Sequence, residues 1–275
     1  MADGIDQGLH AKLNNVLRLL SSYGKTAVAL SGGVDSTLLL KLAVEALGSG
    51  NVIAVTACAD GADSINPEAE DAAKNAGTMG VRHIVFHSGE YENEQFLQNT
   101  RERCYICKKQ IFGGIVRIAA EYEITKVIEG TNQDDREDFR PGQIALEELG
   151  IISPLRDGVL GKDDIRKLAK QYKLDVWNRP SNACLATRFP YGTRIDPKII
   201  PKIGEAERFL REYGFRQVRV RYHGAVARIE LDPLEMLRIF ENGIAKEVYE
   251  HFRALGFDYT ALDLLGYRTG SLNER

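Results

Sequence analysis

The sequence lacks any long apolar run. Its longest runs, such as residues 27–30 and 38–40, fall far short of the roughly 18 residues that a membrane span needs. Met1-Ala2-Asp3-Gly4-Ile5-Asp6 has neither the basic nor the apolar stretch of a secretory signal, so a cytoplasmic protein with no membrane partner is expected. Internal repeats and low-complexity tracts are absent as well. No charge sign dominates: 36 basic and 39 acidic residues leave a net charge of −3, which argues against a general nucleic-acid binder but leaves room for a local basic patch. At 44% hydrophobic and 27% charged, the composition excludes a disordered, collagen-like or coiled-coil chain. Cysteine is scarce: there are four, Cys58, Cys104, Cys107 and Cys184. In a reducing compartment, closely spaced thiols are more often metal or redox ligands than disulfide partners.

What is present reads as two domains, since 275 residues exceed the size, about 250, at which single cores stop growing. Strand candidates at 26–30, 52–57, 82–86 and 126–129 alternate with helical patterns at 6–22, 38–47, 103–122 and 162–172, the signature of a parallel sheet covered by helices. Asn66-Pro67-Glu68 reads as the cap and first turn of a further helix. Four of the eight prolines fall between 175 and 201, so the regular pattern breaks there. The expected division is a catalytic α/β domain over 1–175, a cysteine-bearing linker or active-site loop over 176–200, and an α+β domain over 201–275. The last part should hold a helix at 201–213, a hairpin of 217–222 and 225–231 turning at His223-Gly224, two helices and a strand at 259–264.

Three segments carry chemistry. Ser31-Gly32-Gly33-Val34-Asp35-Ser36 follows an apolar strand and opens a helix. Its glycines let backbone N–H groups approach an anion, and the helix N-terminus adds partial positive charge, so the segment is a phosphate cradle. It has neither the lysine nor the spacing of the nucleotide-hydrolase P-loop. Glu129-Gly130-Thr131-Asn132 ends another expected strand and should face the same crevice, followed by the acidic run 134–138. Cys104 and Cys107, at i and i+3 near a helix start beside Arg103 and Lys108, have ligand spacing and a setting that favours thiolates. By itself this pair fits zinc, an iron-sulfur cluster, a redox dithiol or chance. Cys184 lies in an irregular loop with flanking arginines, whereas Cys58 ends an apolar run and is expected in the core. Arg219, Arg221 and His223 alternate to one face of a strand as a positive stripe suited to phosphate or carboxylate, with Val218, Val220 and Tyr222 on the other.

The hexapeptide Ser31 to Ser36 resembles the pyrophosphate loop of the PP-loop ATPases, which include NAD synthetase, GMP synthetase amidotransferases and tRNA thiolation enzymes. The resemblance implies a Rossmann-like fold of the adenine nucleotide α-hydrolase type and cleavage of ATP between its α and β phosphates. Ser31, Gly32, Gly33, Asp35 and Ser36 would then hold pyrophosphate with Gly130 and Thr131 nearby, and Asp35 would help position Mg2+. The segment 179–193 around Cys184, Gly130-Thr131-Asn132, Asp138-Phe139-Arg140-Pro141-Gly142 and Arg219-Val220-Arg221-Tyr222-His223 resemble, more narrowly, the LarE-type PP-loop sulfur transferases of nickel-pincer cofactor synthesis. That resemblance runs from about residue 13 to 273. It implies adenylation of a carboxylate on a pyridinium dicarboxylate mononucleotide, then conversion to a thiocarboxylate. In one branch of these enzymes the cysteine matching Cys184 is the sulfur donor and ends as dehydroalanine. In the other, similar to cluster-dependent tRNA thiolases, Cys104, Cys107 and Cys184 would hold a 4Fe-4S cluster whose free iron carries sulfide from an exogenous sulfur donor. Thr187 and Arg219 would contact the substrate phosphate, Glu207 would orient Arg219, and Arg188 and Arg221 would complete the site. A homo-oligomer joined through the C-terminal domain is expected. Two alternatives stand beside this reading: a tRNA thiolase or ammonia-using synthetase of the same fold, and a nucleotide-binding metal or iron-sulfur sensor without turnover.

Overall fold

The computed structural model describes residues 7–59, 67–137, 141–179 and 184–268. The chain clusters into two compact units, one of residues 1–93 with 104–179 and the other of 94–103 with 180–275.

The first unit begins with α1 (Gln7–Ser21), whose Leu9, Leu13, Val16 and Leu20 recur at helical spacing and are all buried. Then come β1 (Thr26–Ala29), α2 (Val34–Leu47), β2 (Val52–Cys58), α3 (Pro67–Thr78) and β3 (Arg82–His87). Asn66, the expected cap of α3, lies outside the described residues. The chain adds α4 (Glu94–Leu97) to the second unit and returns through α5 (Arg103–Glu121), β4 (Lys126–Ile128), α6 (Pro141–Glu148), α7 (Pro154–Asp157) and α8 (Lys162–Gln171).

The four strands form a parallel sheet in the order β3-β2-β1-β4. The inner strands β1 and β2 are apolar along nearly their whole length because helices cover both faces. Leu13, Leu38, Leu42 and Leu168 belong to the core on one face, Ile53, Val55, Phe112 and Ile115 to that on the other. Cys58 is buried, as expected. Because β1 is flanked by β2 on one side and β4 on the other, the strand order reverses there, and a crevice opens beyond the carboxyl ends of β1 and β4.

The second unit contains α9 (Ile200–Glu212), β5 (Val218–His223), β6 (Val226–Leu231), α10 (Ile244–Ala254) and β7 (Tyr259–Leu262). β5 and β6 pair antiparallel as the expected hairpin, and β7 joins β6 in parallel. Of the two helices expected between β6 and β7, the first is a short 3-10 segment, Met236–Phe240. Residues 190–193 of the proline-rich stretch are held by a buried hub, Asn99, in left-handed backbone conformation. Its amide donates to the carbonyls of Pro190 and Thr193, at 2.8 Å each, and its own carbonyl accepts from Gly192 N.

Among the described residues, no helix is long and apolar enough to cross a membrane.

Candidate functional site

In the first unit the site grows from the end of β1. The named pairing of β1 with β2 stops at Ala29–Val55, and Leu30 N still reaches Val55 O at 2.9 Å before the chain turns away. The Leu30 carbonyl accepts from the Thr56 hydroxyl at 2.6 Å. Thr56 has a single proton to give, so its 2.7 Å contact with His83 Nε2 is one in which the imidazole donates. Burial lowers the His83 pKa, consistent with a neutral ring. This chain of bonds anchors the peptide immediately before the loop.

Gly32 then takes a φ of +76°, and α2 starts at Val34, earlier than the sequence pattern suggests, so that Asp35 and Ser36 lie in its first turn. Ser36 Oγ donates to Gly33 O at 3.2 Å and accepts from Ser31 N at 3.2 Å. With that proton spent, Ser31 Oγ is the donor across the 3.0 Å gap between the two hydroxyls. The loop is thereby preset before any anion arrives.

The Glu129-Gly130-Thr131 segment beyond β4 lies directly against this loop. A Cβ on Gly130 would stand 3.0 Å from Ser36 N and 3.2 Å from the carbonyl carbon of Asp35, backbone atoms that cannot swing aside. Any larger residue would push the loop back by a few tenths of an ångström. Glu129 is buried and accepts from Ser153 Oγ at 2.5 Å and Thr131 Oγ1 at 2.8 Å. Asn132 Nδ2 donates to Asp35 Oδ1 at 3.3 Å, and Lys162, the first residue of α8, forms an ion pair with Asp35 Oδ2. The cation missing from the loop motif therefore arrives from a distant element. Sequence reading assigned 162–172 only a helical pattern, since nothing local links Lys162 to a loop 127 residues away.

A cavity of about 350 Å³ opens on these groups, within the range of small-ligand sites. Its polar end holds Ser31, Asp35, Ser36, Thr131 and Asp135, and its apolar wall is made by Val55, Ala57, Ile111, Phe112 and Ile115. An anion-binding end beside an apolar slot fits a nucleotide: phosphates on the loop amides, a flat base against the wall.

Cys104 and Cys107 also lie in the first unit, one turn apart at the start of α5, the former exposed and the latter half-buried. The cationic neighbours expected beside them are otherwise engaged. Arg103 is buried within the second unit, bonded to Asn99 Oδ1 and to Ala186 O and lying over the Tyr191 ring, while Lys108 lies over Phe112. Cys184 belongs to the second unit, exposed at the cap of a 3-10 turn, Leu185–Arg188. Its carbonyl accepts from Thr187 Oγ1 at 2.7 Å and Thr187 N at 2.9 Å. Among the described residues no group of three or more His, Cys, Asp and Glu side chains is gathered to hold a metal.

The same turn leads into a buried ionic cluster. Arg188, 1% exposed, meets Glu207 fork to fork at 2.6 and 3.0 Å and donates to Thr187 Oγ1 at 2.7 Å. Glu207 also accepts from Val220 N at 3.0 Å and from Arg211 at 2.9 Å. Burial pushes the Glu207 carboxyl up, but Arg188, Val220 N and Arg211 outweigh it and hold the pKa below the usual range. Arg221 is gripped by both oxygens of Glu230, at 3.0 and 2.9 Å, and donates to Thr187 O at 2.9 Å.

These contacts correct two expectations. The arginine face of β5 is not an open positive stripe: Arg219 and Arg221 are buried, with Glu230 of β6 and Glu207 of α9 buried beside them. And the fork of Glu207 goes to Arg188, so it acts on Arg219 through its charge, which opposes the lowering of the Arg219 pKa by burial and by Arg188. Glu230 escaped sequence reading, although its register opposite Arg219 places it on the arginine face.

The profile of the NAD synthase family matches residues 8–130. An uncharacterized protein of Synechocystis sp. is 37% identical over 96% of this chain and 98% of its own. The tRNA-specific 2-thiouridylase MnmA of Rickettsia bellii is 26% identical over 75% of this chain and 70% of its own. The pyridinium-3,5-bisthiocarboxylic acid mononucleotide synthase of Lactiplantibacillus plantarum is 33% identical over 97% of this chain and 95% of its own. Matched to that synthase at 33% identity over nearly its whole length, with the NAD synthase profile over its first half, the chain belongs to the LarE family of PP-loop proteins.

Proposed function

We propose that this protein is an ATP-dependent sulfur transferase acting on a pyridinium dicarboxylate mononucleotide. The observation that carries the reading is the near full-length match to the pyridinium-3,5-bisthiocarboxylic acid mononucleotide synthase. The phosphate-loop cavity and the buried arginine cluster support it. A substrate carboxylate oxygen attacks the α-phosphorus of ATP and pyrophosphate leaves with the bonding electron pair. Sulfide then attacks the carboxyl carbon of the acyl-adenylate and AMP leaves, giving the thiocarboxylate.

Ser31, Gly32, Gly33 and Ser36 hold the departing pyrophosphate through the loop amides and hydroxyls, beside Gly130 and Thr131. Mg2+ takes few carboxylates and otherwise uses phosphate oxygens and water, so Asp35, braced by Asn132 and Lys162, fits its needs with Asp135 nearby. Thr187, Arg188, Arg219 and Arg221, with Glu207, form the pocket for the substrate phosphate. Arg188, Arg219 and Arg221 are all buried there, and guanidinium groups bind phosphate through charge-assisted hydrogen bonds.

For the sulfur step, Cys104, Cys107 and Cys184 are the candidate ligands of a 4Fe-4S cluster. The donor set suits one: none of the three is in a disulfide, and two stand a turn apart on one helix. When bound, the cluster supplies an open iron site that accepts sulfide from an external sulfur donor. A cytoplasmic homo-oligomer belongs to the same proposal.

The test is pyrophosphate release and thiocarboxylate formation from the dicarboxylate mononucleotide, followed by mass spectrometry of the protein. An intact Cys184 after several turnovers, with turnover lost in Cys104→Ala, supports the cluster route. Loss of hydrogen sulfide from Cys184 instead establishes the sacrificial route, and no substrate-dependent pyrophosphate refutes the enzyme.

A further inference from the structure

The buried arginines of the second unit are not treated alike. Arg188 and Arg221 are each gripped by a carboxylate fork. Arg219, 5% exposed, has the ring of Tyr267 over its guanidinium, with 5.3 Å from the guanidinium carbon to the ring centroid, and donates to Val218 O at 2.7 Å.

The chain is built to bring that ring there. After β7 it turns at Asp263, whose carboxylate accepts from Leu265 N at 2.9 Å and pairs with Arg228 and Arg268. Gly266, with a φ of +65° and its N–H on Asp263 O at 3.1 Å, closes the turn. A Cβ at Gly266 would stand 2.5 Å from Leu231 O, so only glycine lets the returning chain lie this close to β6. Tyr267 N then bonds Leu231 O at 2.7 Å, and Leu231 pairs across the sheet with Val218, the neighbour of Arg219. Glycine, turn and backbone bond together aim one half-buried ring at one guanidinium.

An aromatic face stabilises a desolvated cation and leaves its charge in place. Burial and the neighbouring Arg188 both make that charge costly, with the Glu207 carboxylate opposing them. A cation held this way gains most when an anion arrives.

We propose that Tyr267 is a positioning residue for Arg219, holding its guanidinium buried and charged so that it engages the phosphate of the mononucleotide. The inference rests on the reading of Arg219 as a phosphate contact, and the test separates the two. The full-length protein is titrated calorimetrically with nicotinic acid mononucleotide, and with the corresponding phosphate-free riboside as a control, in a double-mutant cycle of Tyr267→Leu and Arg219→Ala. Expected are a roughly tenfold weaker mononucleotide affinity in Tyr267→Leu, the size of a desolvated cation–π contact, wild-type affinity within about twofold in Tyr267→Phe, which keeps the ring face, and no change for the riboside. In the Arg219→Ala background, Tyr267→Leu should cost nothing more. If Arg219→Ala binds mononucleotide like wild type, the phosphate reading itself fails. If Arg219→Ala weakens binding while Tyr267→Leu does not, or if Tyr267→Leu costs as much without Arg219 as with it, the positioning role is overturned. Should the leucine variant lose its cooperative melt, Tyr267→Met in the same cycle decides.

Discussion

Replacing Glu207 with glutamine tests the buried cluster most directly. Oε1 of Glu207 accepts from Arg188 Nε and Val220 N, and Oε2 accepts from Arg188 Nη2 and Arg211 Nη2. Glutamine keeps one acceptor, so its amide nitrogen has to face two N–H donors whichever way it lies, Arg188 with Arg211 or Arg188 with Val220 N. Arg188 and Glu207 are each 1% exposed, so water cannot repair the mismatch. Removing one partner of a buried ion pair costs about 3–5 kcal/mol, a large share of the roughly 5–15 kcal/mol by which a native protein is stable. Urea denaturation followed by circular dichroism should give that difference at neutral pH, with faster hydrogen exchange at the Val220 amide. The pH dependence follows from the depressed Glu207 pKa. Its contribution is fully present above the unfolded-state value, about 4.3, and is lost as pH falls through the lower folded-state value. The uncharged variant has no such loss, so the gap between the two proteins should narrow in acid. A gap below about 1 kcal/mol at neutral pH, the scale of an exposed pair, or one that does not narrow in acid, would refute the argument.

Three further outcomes are expected. Gly130→Ala should force the start of α2 away from the β4 end, costing about 1–3 kcal/mol of stability and weakening ATP binding measured by calorimetry; an unchanged melt and affinity would show that the loop yields freely. Lys162→Met should slow substrate-dependent pyrophosphate release at least about tenfold, the equivalent of 1.4 kcal/mol, and raise the Mg2+ requirement; normal rates would reduce the Lys162–Asp35 pair to a surface contact. Thr56→Val should leave Leu30 O and His83 without their partner, lowering stability by about 1–3 kcal/mol and ATP affinity with it, whereas Thr56→Ser should restore both; equal behaviour of the two variants would dissociate the hydroxyl from the loop.

Patterns within a few neighbouring residues carry the local structure of this protein. Periodicity placed the four strands of the first unit and its longer helices, because burial on one helix face or in an inner strand leaves its pattern in consecutive side chains, whereas the short helices α4, α6 and α7 carried no such pattern. Ser31-Gly32-Gly33-Val34-Asp35-Ser36 was legible for the same reason: its chemistry lies in six adjacent residues with strand before and helix after. Only tertiary structure decided what depends on distant partners. Lys162 supplies the cation that the loop lacks because α8 begins beside Asp35, and no spacing rule spans that separation. Asn99 holds residues 190–193 of the proline-rich stretch although it stands some ninety residues before them. The positive stripe of β5 became part of a buried cluster of arginines and glutamates because hairpin register sets Glu230 opposite Arg219 and α9 brings Glu207 to Arg188. Burial turns a row of surface charges into a site that has to balance its charge, and burial is a property of the fold rather than of any one segment.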